Sequence, residues 1–415
     1  MMAAGSRPFG LHYGYVALAA GAVALMATLG FGRWAYSLIL PGMREGLTLT
    51  YTQMGILSTG NMVGYLAAVP VAGIAASRYG SRMVIGASML VAGVALLSTG
   101  LSPNFELAFV ALFLAGIASA GAIVPSMALA GIWVAPQKRG LATGLVNTPL
   151  GLAFFVTGPV IPGLAASSTG MGWRYGWYLV GAVVLLGGVL VAVLMRNRPR
   201  DLGLQVMGAT GNSAAEESPA SPLNWGLVYR SGRVWHLAVL YGLFGFSFAG
   251  LSTFFAAFLR DQGGITEGVI GSMWALSGVG MAAGCLAWGY ISDRVGRAAG
   301  IAIVFLFLAG SIIVFTLSRS LAVYYLSALF FWAAEPGVPV IVAAACADYV
   351  GARLAPAAVG FATLFMGVGQ AVGPFLAGSM ADMTASFDMA FYLSAAVAFL
   401  GMVGAFFLRR PAARL

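Results

Sequence analysis

Charged residues are scarce in this sequence. Of its 415 residues only 8% are Asp, Glu, Lys or Arg, whereas 60% are hydrophobic. Soluble globular proteins carry charge on about a quarter of their residues, so this composition excludes that class. A bilayer-spanning helix needs roughly 20 mainly apolar residues, and twelve such stretches can be marked along the chain. The predicted fold is an all-α membrane protein with twelve transmembrane helices.

Residues for catalysis are also sparse. Cys285 and Cys346 are the only cysteines and lie inside apolar runs, while His12 and His236 are the only histidines and lie at span edges. The sequence has no P-loop, no CxxC pair and no HExxH motif, so ATP hydrolysis, redox chemistry and metal catalysis lack the residues they need. We predict a protein that is not an enzyme and that uses no cofactor and no metal.

The basic residues are distributed unevenly between the two sides of the predicted membrane. Of the 21 Lys and Arg residues, one lies within a span, sixteen fall on the side of the N-terminus and only Arg44, Arg174, Arg260 and Arg319 fall on the other side. The positive-inside rule assigns the first side to the cytoplasm. We predict a multi-pass protein of the inner (cytoplasmic) membrane with both termini cytoplasmic. The net charge of +9 would face anionic headgroups of the lipid bilayer, and we predict no nucleic-acid partner.

The second half of the sequence repeats landmarks of the first. Gly73 and Gly80 recur 216 residues later as Gly289 and Gly296, and Gly144 recurs at the same offset as Gly360. A duplicated helical unit with the substrate bound between the copies is typical of a secondary transporter. We predict six-helix bundles at residues 1–196 and 232–415, joined by a flexible cytoplasmic linker at 197–231 that is rich in small and polar residues.

Several motifs carry a family resemblance. GYISDRVGR, from Gly289 to Arg297, resembles the hallmark loop of the major facilitator superfamily, although its first-half counterpart has Ser77 in place of the acid. GLVNTPLGLAFFVTGPVIPG, from Gly144 to Gly163, resembles the fifth-helix motif of that superfamily. The stretches GFGRWAYSLILPGM and NMVGYL are similar to the bacterial YbfB-like facilitators, and GWRYGWYL and RNRPRDLGL resemble monocarboxylate-type facilitators. The resemblance implies two pseudo-symmetric bundles that rock around a central cavity.

Arg33 and Glu335 are charges deep within predicted spans. A charge at the bilayer centre costs about 2.5–3.5 kcal/mol on insertion scales, so it normally faces a cavity or a partner. The resemblance implies that the first and tenth helices line the cavity, which places both residues beside the substrate path. Because a guanidinium can hold a carboxylate by two hydrogen bonds, we predict that Arg33 binds an anion. The alternative is that Arg33 braces helix ends or reaches the outer interface.

Glu335 is followed by Pro336, Gly337 and Pro339, which predicts a kink or a local unwinding of the tenth span. Burial favours the neutral form of a carboxyl group, whereas a nearby guanidinium favours the charged form. These opposing effects would allow Glu335 to exchange a proton as the cavity opens and closes, so we predict that it is the proton-coupling site. The alternative is a permanent partner of Arg33 or of a polar neighbour, with uniport or exchange.

Further residues complete the predicted sites. Tyr36 and Ser37 follow Arg33 at helical spacing and share its predicted face. The other predicted substrate-binding residues are Asn61, Tyr65, Asn147, Tyr241, Trp274, Phe331 and Gln370. Packing is the alternative for the aromatic residues, and interhelical hydrogen bonding is the alternative for Asn61, Asn147 and Gln370. Charged residues at helix ends are predicted to act in gating, by shifting the conformational equilibrium: Arg78, Arg82, Asp293, Arg294, Arg297 and Asp348.

The predicted function is secondary active transport by alternating access. The preferred substrate is a small organic anion, specifically a carboxylate, held by Arg33 and driven by protons through Glu335. The alternative is a proton-coupled exporter of hydrophobic or cationic compounds, in which Glu335 would bind the cation. The positive charge of Arg33 favours the anion. A sensor that does not transport remains a third possibility on this fold, and the resemblance implies a monomer.

Overall fold

The computed structural model describes residues 12–135, 139–167, 170–208, 226–351 and 354–408. Twelve helices in this part of the chain are long and apolar enough to cross a membrane, which confirms the predicted fold class. In chain order they are α1 (Tyr13–Leu47), α2 (Tyr51–Tyr79), α3 (Ser81–Leu101), α4 (Phe105–Trp133), α5 (Ala142–Ala165), α6 (Gly172–Leu194), α7 (Gly232–Asp261), α8 (Glu267–Val295), α9 (Arg297–Leu317), α10 (Leu321–Val350), α11 (Ala355–Thr384) and α12 (Asp388–Phe406).

The helices form two pseudo-symmetric sets of six. Helices α2 and α8 are each 29 residues long and begin 216 residues apart, at Tyr51 and Glu267. Both end at a glycine with a positive φ, 87° at Gly80 and 90° at Gly296. A residue with a Cβ rarely adopts this conformation, so the two glycines stop equivalent helices at equivalent points. Helices α3 and α9 then begin at the next residue of each half.

The two bundles meet mainly along two helix pairs, α2 with α11 and α5 with α8, and the end of α1 also contacts α7. Glycines allow these helices to touch through their backbones. A Cβ on Gly158 of α5 would lie 2.4 Å from the carbonyl oxygen of Gly271 in α8, and a Cβ on Gly55 of α2 would lie 2.3 Å from the carbonyl oxygen of Pro374 in α11. Small residues permit this close approach in membranes, where packing replaces the hydrophobic effect between helices.

The contacts between the bundles are concentrated at one end of the molecule. We call this end the distal face; it carries the loops 48–50, 262–266 and 385–387, and the opposite terminal face carries the start of α1. Helix α2 contacts α11 from Tyr51 near the distal face to Leu66 near mid-helix. Towards the terminal face, a Cβ on Gly73, Gly144 or Gly360 would meet no described atom within 4 Å. The described contacts between the bundles therefore lie mainly on the distal side.

The beginning of the predicted linker packs onto the first bundle. Met207 donates its N–H to the carbonyl of Trp133 at 2.9 Å and accepts from the N–H of Ala135 at 3.0 Å. A ring nitrogen of His12 lies 3.0 Å from the carbonyl oxygen of Gln205. Residues 197–208 are thus held against the ends of α1 and α4. The remainder of the polar stretch, 209–225, lies outside the described residues.

Helix α10 is interrupted at Glu335 and Pro336, as its sequence predicts. Its two segments are Leu321–Ala334 and Gly337–Val350. Proline has no N–H and disrupts the helical ladder. Beside this break, the carbonyl of Ala333 accepts a hydrogen bond of 2.7 Å from the indole Nε1 of Trp288 in α8. A neighbouring helix therefore satisfies a backbone group beside the break, as the apolar interior of a membrane protein requires.

Replacing Trp288 with phenylalanine should destabilise the protein by about 1–3 kcal/mol, because the Ala333 carbonyl loses its donor. The measurement is thermal unfolding of the purified protein in detergent. Trp177→Phe is the matched control, because the buried Nε1 of Trp177 has no hydrogen-bond partner among the described residues. An equal loss of stability in the two variants would contradict the assigned role of the Trp288 indole.

Candidate functional site

Arg33 lies in an irregular part of α1. Residues Met26–Trp34 form a π-helical segment between two α-helical ones, Tyr13–Leu25 and Tyr36–Leu47. Such segments are rare and frequently occur at functional sites. The wider turn changes which residues share a helix face, so the α-helical spacing used for Tyr36 and Ser37 does not hold across it. The spacing of apolar residues in the sequence does not predict this π-helical segment.

The guanidinium of Arg33 spans the gap between the bundles. Its Nη2 donates to Oε1 of Gln370 in α11 at 3.2 Å and to the thioether sulfur of Met62 in α2. The guanidinium carbon also lies 5.4 Å from the ring centroid of Tyr65, which is a cation–π distance. Among the described residues, no carboxylate forms an ion pair with Arg33 within 4.0 Å. Its described hydrogen-bond and cation–π partners are all neutral, and the side chain is partly exposed.

A small cavity adjoins this guanidinium on its distal side. It offers about 50 Å³ of space for water and is lined by residues of both bundles, among them Arg33, Ser58, Thr253 and Gln370. The Oγ of Ser58 and the Oγ1 of Thr253 are 3.4 Å apart. A positive charge, two hydroxyl groups and an amide therefore converge where the two halves meet.

Glu335 lies at the break in α10 and is partly exposed. Its carboxyl group interacts electrostatically with Arg33 and with Tyr241 of α7, and Tyr241 interacts in turn with Tyr65. No hydrogen-bond partner of the Glu335 side chain is found in the described part of the chain. The structure thus brings together four predicted residues from four helices: Arg33, Tyr65, Tyr241 and Glu335.

Trp274 and Phe331 belong to an aromatic cluster between the bundles. Their exposed fractions are 0% and 1%. Phe154 of the first bundle stacks on Trp274 with ring centroids 4.5 Å apart, and Phe331 stacks on Phe248 at 5.1 Å. Trp332 packs against Phe154 at 4.6 Å. This arrangement corresponds to the packing alternative for Trp274 and Phe331.

Three other predicted substrate-binding residues have their polar groups engaged with backbone. The hydroxyl of Tyr36 donates to the carbonyl of Met54 at 2.8 Å. The amide of Asn61 donates to Leu112 of α4 at 2.8 Å, although Asn61 also lines a second small cavity beside Arg33. The amide of Asn147 donates to the carbonyl of Thr143 in its own helix at 2.8 Å, and none of its described contacts involves Arg33.

The predicted gating residues contact only their own bundle in the described part of the chain. Arg297 binds Asp293 and, at 3.0 Å, Asp348. Arg294 lies over the ring of Tyr290, and Arg78 lies over the ring of Tyr79. Arg82 donates to the carbonyl of Ala192 at 2.7 Å. Arg353, which follows Asp348 in sequence, lies outside the described residues.

Charged residues that connect the bundles lie instead at the distal face. Arg260 of α7 forms an ion pair with Glu45 of α1 at 2.7 Å. Asp382 of α11 accepts from the backbone N–H groups of Tyr51 and Thr52, at 3.0 and 2.7 Å, and from the Thr52 hydroxyl at 2.6 Å. Sequence reasoning used Arg260 only for topology and missed Asp382 entirely. The sequence does show acidic and basic residues at span ends on the side that is poor in basic residues, and these could have indicated the contacts.

A duplicated twelve-helix bundle with lone charges between its halves is the architecture of a secondary transporter. The sequence model of the Major Facilitator Superfamily matches residues 22–338 and 264–415. The chain belongs to the major facilitator superfamily, a family of membrane transporters and not of enzymes.

Individual relatives are similar over nearly their whole length. The probable sulfoacetate transporter SauU of Cupriavidus necator is 26% identical, covering 94% of this chain and 92% of the relative. The hexuronate transporter of Bacillus subtilis is 22% identical, with 91% of each chain covered. The 3-(3-hydroxy-phenyl)propionate transporter of Escherichia coli is 26% identical, with 86% of this chain and 84% of the relative covered. An inward-facing bacterial homologue of the lysosomal transporter Spinster shares the fold at a TM-score of 0.75 and 17% identity, covering 98% of this chain and all of that one.

Proposed function

We propose that this protein is a secondary active transporter of a small organic anion that carries a carboxylate. The observation that carries the proposal is Arg33, a permanent positive charge between the bundles whose described hydrogen-bond and cation–π partners are all neutral. A guanidinium in an apolar interior that forms no ion pair with a described residue favours an anionic ligand, and its planar set of donors matches a carboxylate. The names of the relatives point the same way, because sulfoacetate, hexuronate and 3-(3-hydroxyphenyl)propionate are all organic anions.

Alternating access would proceed by rocking of the two bundles. We infer that the moving bodies are residues 1–196 and 232–415 with 197–231 as the linker, and that one chain is sufficient. In the arrangement described here the distal side is closed and Arg33 is partly exposed. With the termini placed in the cytoplasm of the bacterial inner membrane by the positive-inside rule, this arrangement is an inward-facing state.

Glu335 supplies the proposed proton coupling. Its carboxyl group is partly exposed, has no described hydrogen-bond partner and interacts electrostatically with Arg33. An anion on Arg33 would cancel the positive charge that favours the ionised carboxylate, so binding of the anion would promote uptake of a proton by Glu335. Anion and proton would then cross together, which is symport.

The test is a thermal-shift screen of the detergent-purified protein with small carboxylates, phosphorylated compounds, neutral sugars and organic cations. A ligand at a hundred times its dissociation constant stabilises the folded protein by about 2.7 kcal/mol. We expect one class of acids to stabilise the wild type and the Arg319→Ala variant but not the Arg33→Ala variant. Arg319 is the matched control because it donates only to carbonyls at the end of α9.

The screen also tests the competing function. Stabilisation of the wild type and of Arg33→Ala by the same organic cations would contradict the proposal, assign a bracing role to Arg33 and favour an exporter of cations. A wild type that binds an acid but moves no solute into sealed liposomes would be a sensor.

A further inference from the structure

Four residues of α11 form a row along the helix, and each contacts the first bundle. Gln370, Pro374, Gly378 and Asp382 are spaced four residues apart, so the row winds around the helix by about 40° at each step. We call this row the α11 seam. It runs from the candidate anion site to the distal face.

Each contact of the seam crosses from one bundle to the other. Gln370 accepts from Arg33 at 3.2 Å. The carbonyl of Pro374 packs directly on Gly55, where an added Cβ would lie 2.3 Å from the oxygen. Gly378 packs in the same way on the carbonyl of Tyr51, where the corresponding distance would be 2.2 Å. Asp382 closes the row by accepting from the first N–H groups of α2.

The two forked donor pairs of a guanidinium share one nitrogen. A carboxylate can bind end-on to Nη1 and Nη2 or side-on to Nε and Nη2, so either bidentate geometry requires a hydrogen of Nη2. In Arg33 the Nη2 atom already donates to Gln370 and to Met62. An anion that binds Arg33 with two hydrogen bonds must therefore displace one of these two partners.

Gln370 is the partner that can leave. Met62 is only 2% exposed and is fixed within the first bundle, whereas Gln370 is partly exposed and lines the cavity beside Arg33. A carboxylate also brings a negative charge and two acceptor oxygens to the guanidinium, whereas the neutral amide of Gln370 offers one acceptor oxygen. The anion is therefore the better ligand for the same hydrogen.

We propose that Gln370 is the resident ligand of the anion site, and that an anion binding to Arg33 displaces it and thereby releases the inner end of the α11 seam. This inference rests on the proposed function. Displacement removes the one seam contact that Arg33 makes, so anion binding weakens distal closure. By linkage, distal closure weakens anion binding by the same factor.

A disulfide across the distal side provides the test. Ser58→Cys and Thr253→Cys would place two thiols where the hydroxyl groups are 3.4 Å apart, in a background in which Cys285 and Cys346 are replaced by alanine. Oxidation then holds the bundles together and reduction frees them. The probes are glucuronate, sulfoacetate and 3-(3-hydroxyphenyl)propionate, and the readout is the dissociation constant in each redox state.

With Gln370 present, oxidation should weaken binding of the acid about tenfold. With Gln370→Leu the oxidised and reduced proteins should bind it within a factor of about two, because the resident ligand is gone. A tenfold effect of oxidation that persists in Gln370→Leu would overturn the inference and leave the anion site standing. An absence of Arg33-dependent binding in the wild-type protein, which keeps Ser58 and Thr253, would instead overturn the proposed function.

Gln370→Glu is the second variant and does not depend on how well the leucine variant folds. A carboxylate at this position would remain on Arg33 as a tethered anion. We expect affinity for the acid to fall at least about tenfold in both redox states. Unchanged affinity in Gln370→Glu would also overturn the inference, because it would mean that the anion binds elsewhere on Arg33.

Discussion

Replacing Glu335 with glutamine should abolish uptake of the acid driven by a pH gradient while exchange of labelled for unlabelled acid continues. Glutamine preserves the size and polarity of the side chain at the break in α10 but cannot take up or release a proton. In the wild type, uptake should rise as the pH on the side of entry falls, because the carboxyl group must be protonated to cross with the anion. Both rates can be measured with purified protein in liposomes.

Glu106→Gln is the matched control for this experiment. Glu106 is an exposed glutamate in the first turn of α4 at the distal face, and its replacement should leave both uptake and exchange unchanged. Gradient-driven uptake that survives in Glu335→Gln would remove the coupling role of Glu335. Loss of exchange as well as uptake would assign Glu335 to substrate binding or to helix packing.

The sequence predicts the fold because the membrane imposes simple constraints. A span must be long, apolar and helical, so composition and hydropathy locate all twelve helices. The same constraint makes Arg33 and Glu335 conspicuous, since a charge inside a span needs a structural reason. Pro336 likewise predicts the break in α10, because the missing N–H is a local property of the chain.

The contacts within the site were not predictable in this way. The π-helical segment Met26–Trp34 rotates Arg33 relative to Tyr36, and no periodic pattern signals it. Hydropathy cannot separate an aromatic ring that lines a cavity from one that packs, so the sequence predicts substrate binding equally for Trp274 and Tyr241. The contact of Arg33 with Gln370 joins residues that are 337 positions apart, and only the packing of the two bundles creates it.

The predicted gating residues are not the residues that connect the two bundles at the distal face. Arg297 joins Asp293 and Asp348 within the second bundle, and these ion pairs would keep that bundle rigid in the proposed rocking motion. Arg260 and Asp382 instead connect the bundles and must separate whenever the distal side opens. A conformational equilibrium responds only to contacts that differ between its states, so the distal contacts are where mutations should shift it.

Gly55→Ala should have the largest effect on the conformational cycle. A Cβ at this position would lie 2.3 Å from the carbonyl oxygen of Pro374 and 3.1 Å from the Cα of Phe375. Both neighbours are backbone atoms of α11 and cannot move aside as a flexible side chain could. Overpacking of this kind costs about 1–3 kcal/mol, which reduces the equilibrium constant for distal closure by roughly fivefold to 150-fold.

Gly73→Ala provides the matched control on the same helix. A Cβ on Gly73 meets no described atom within 4 Å, and both substitutions gain the same helix propensity of about 1 kcal/mol. We expect Gly55→Ala to lose uptake and to raise the rate at which an impermeant maleimide labels a cysteine placed at Ser58, with Gly73→Ala unchanged in both. Labelling that stays slow in Gly55→Ala would show that α2 and α11 can separate without opening the distal side, and distal closure would then rest on Arg260 and Glu45.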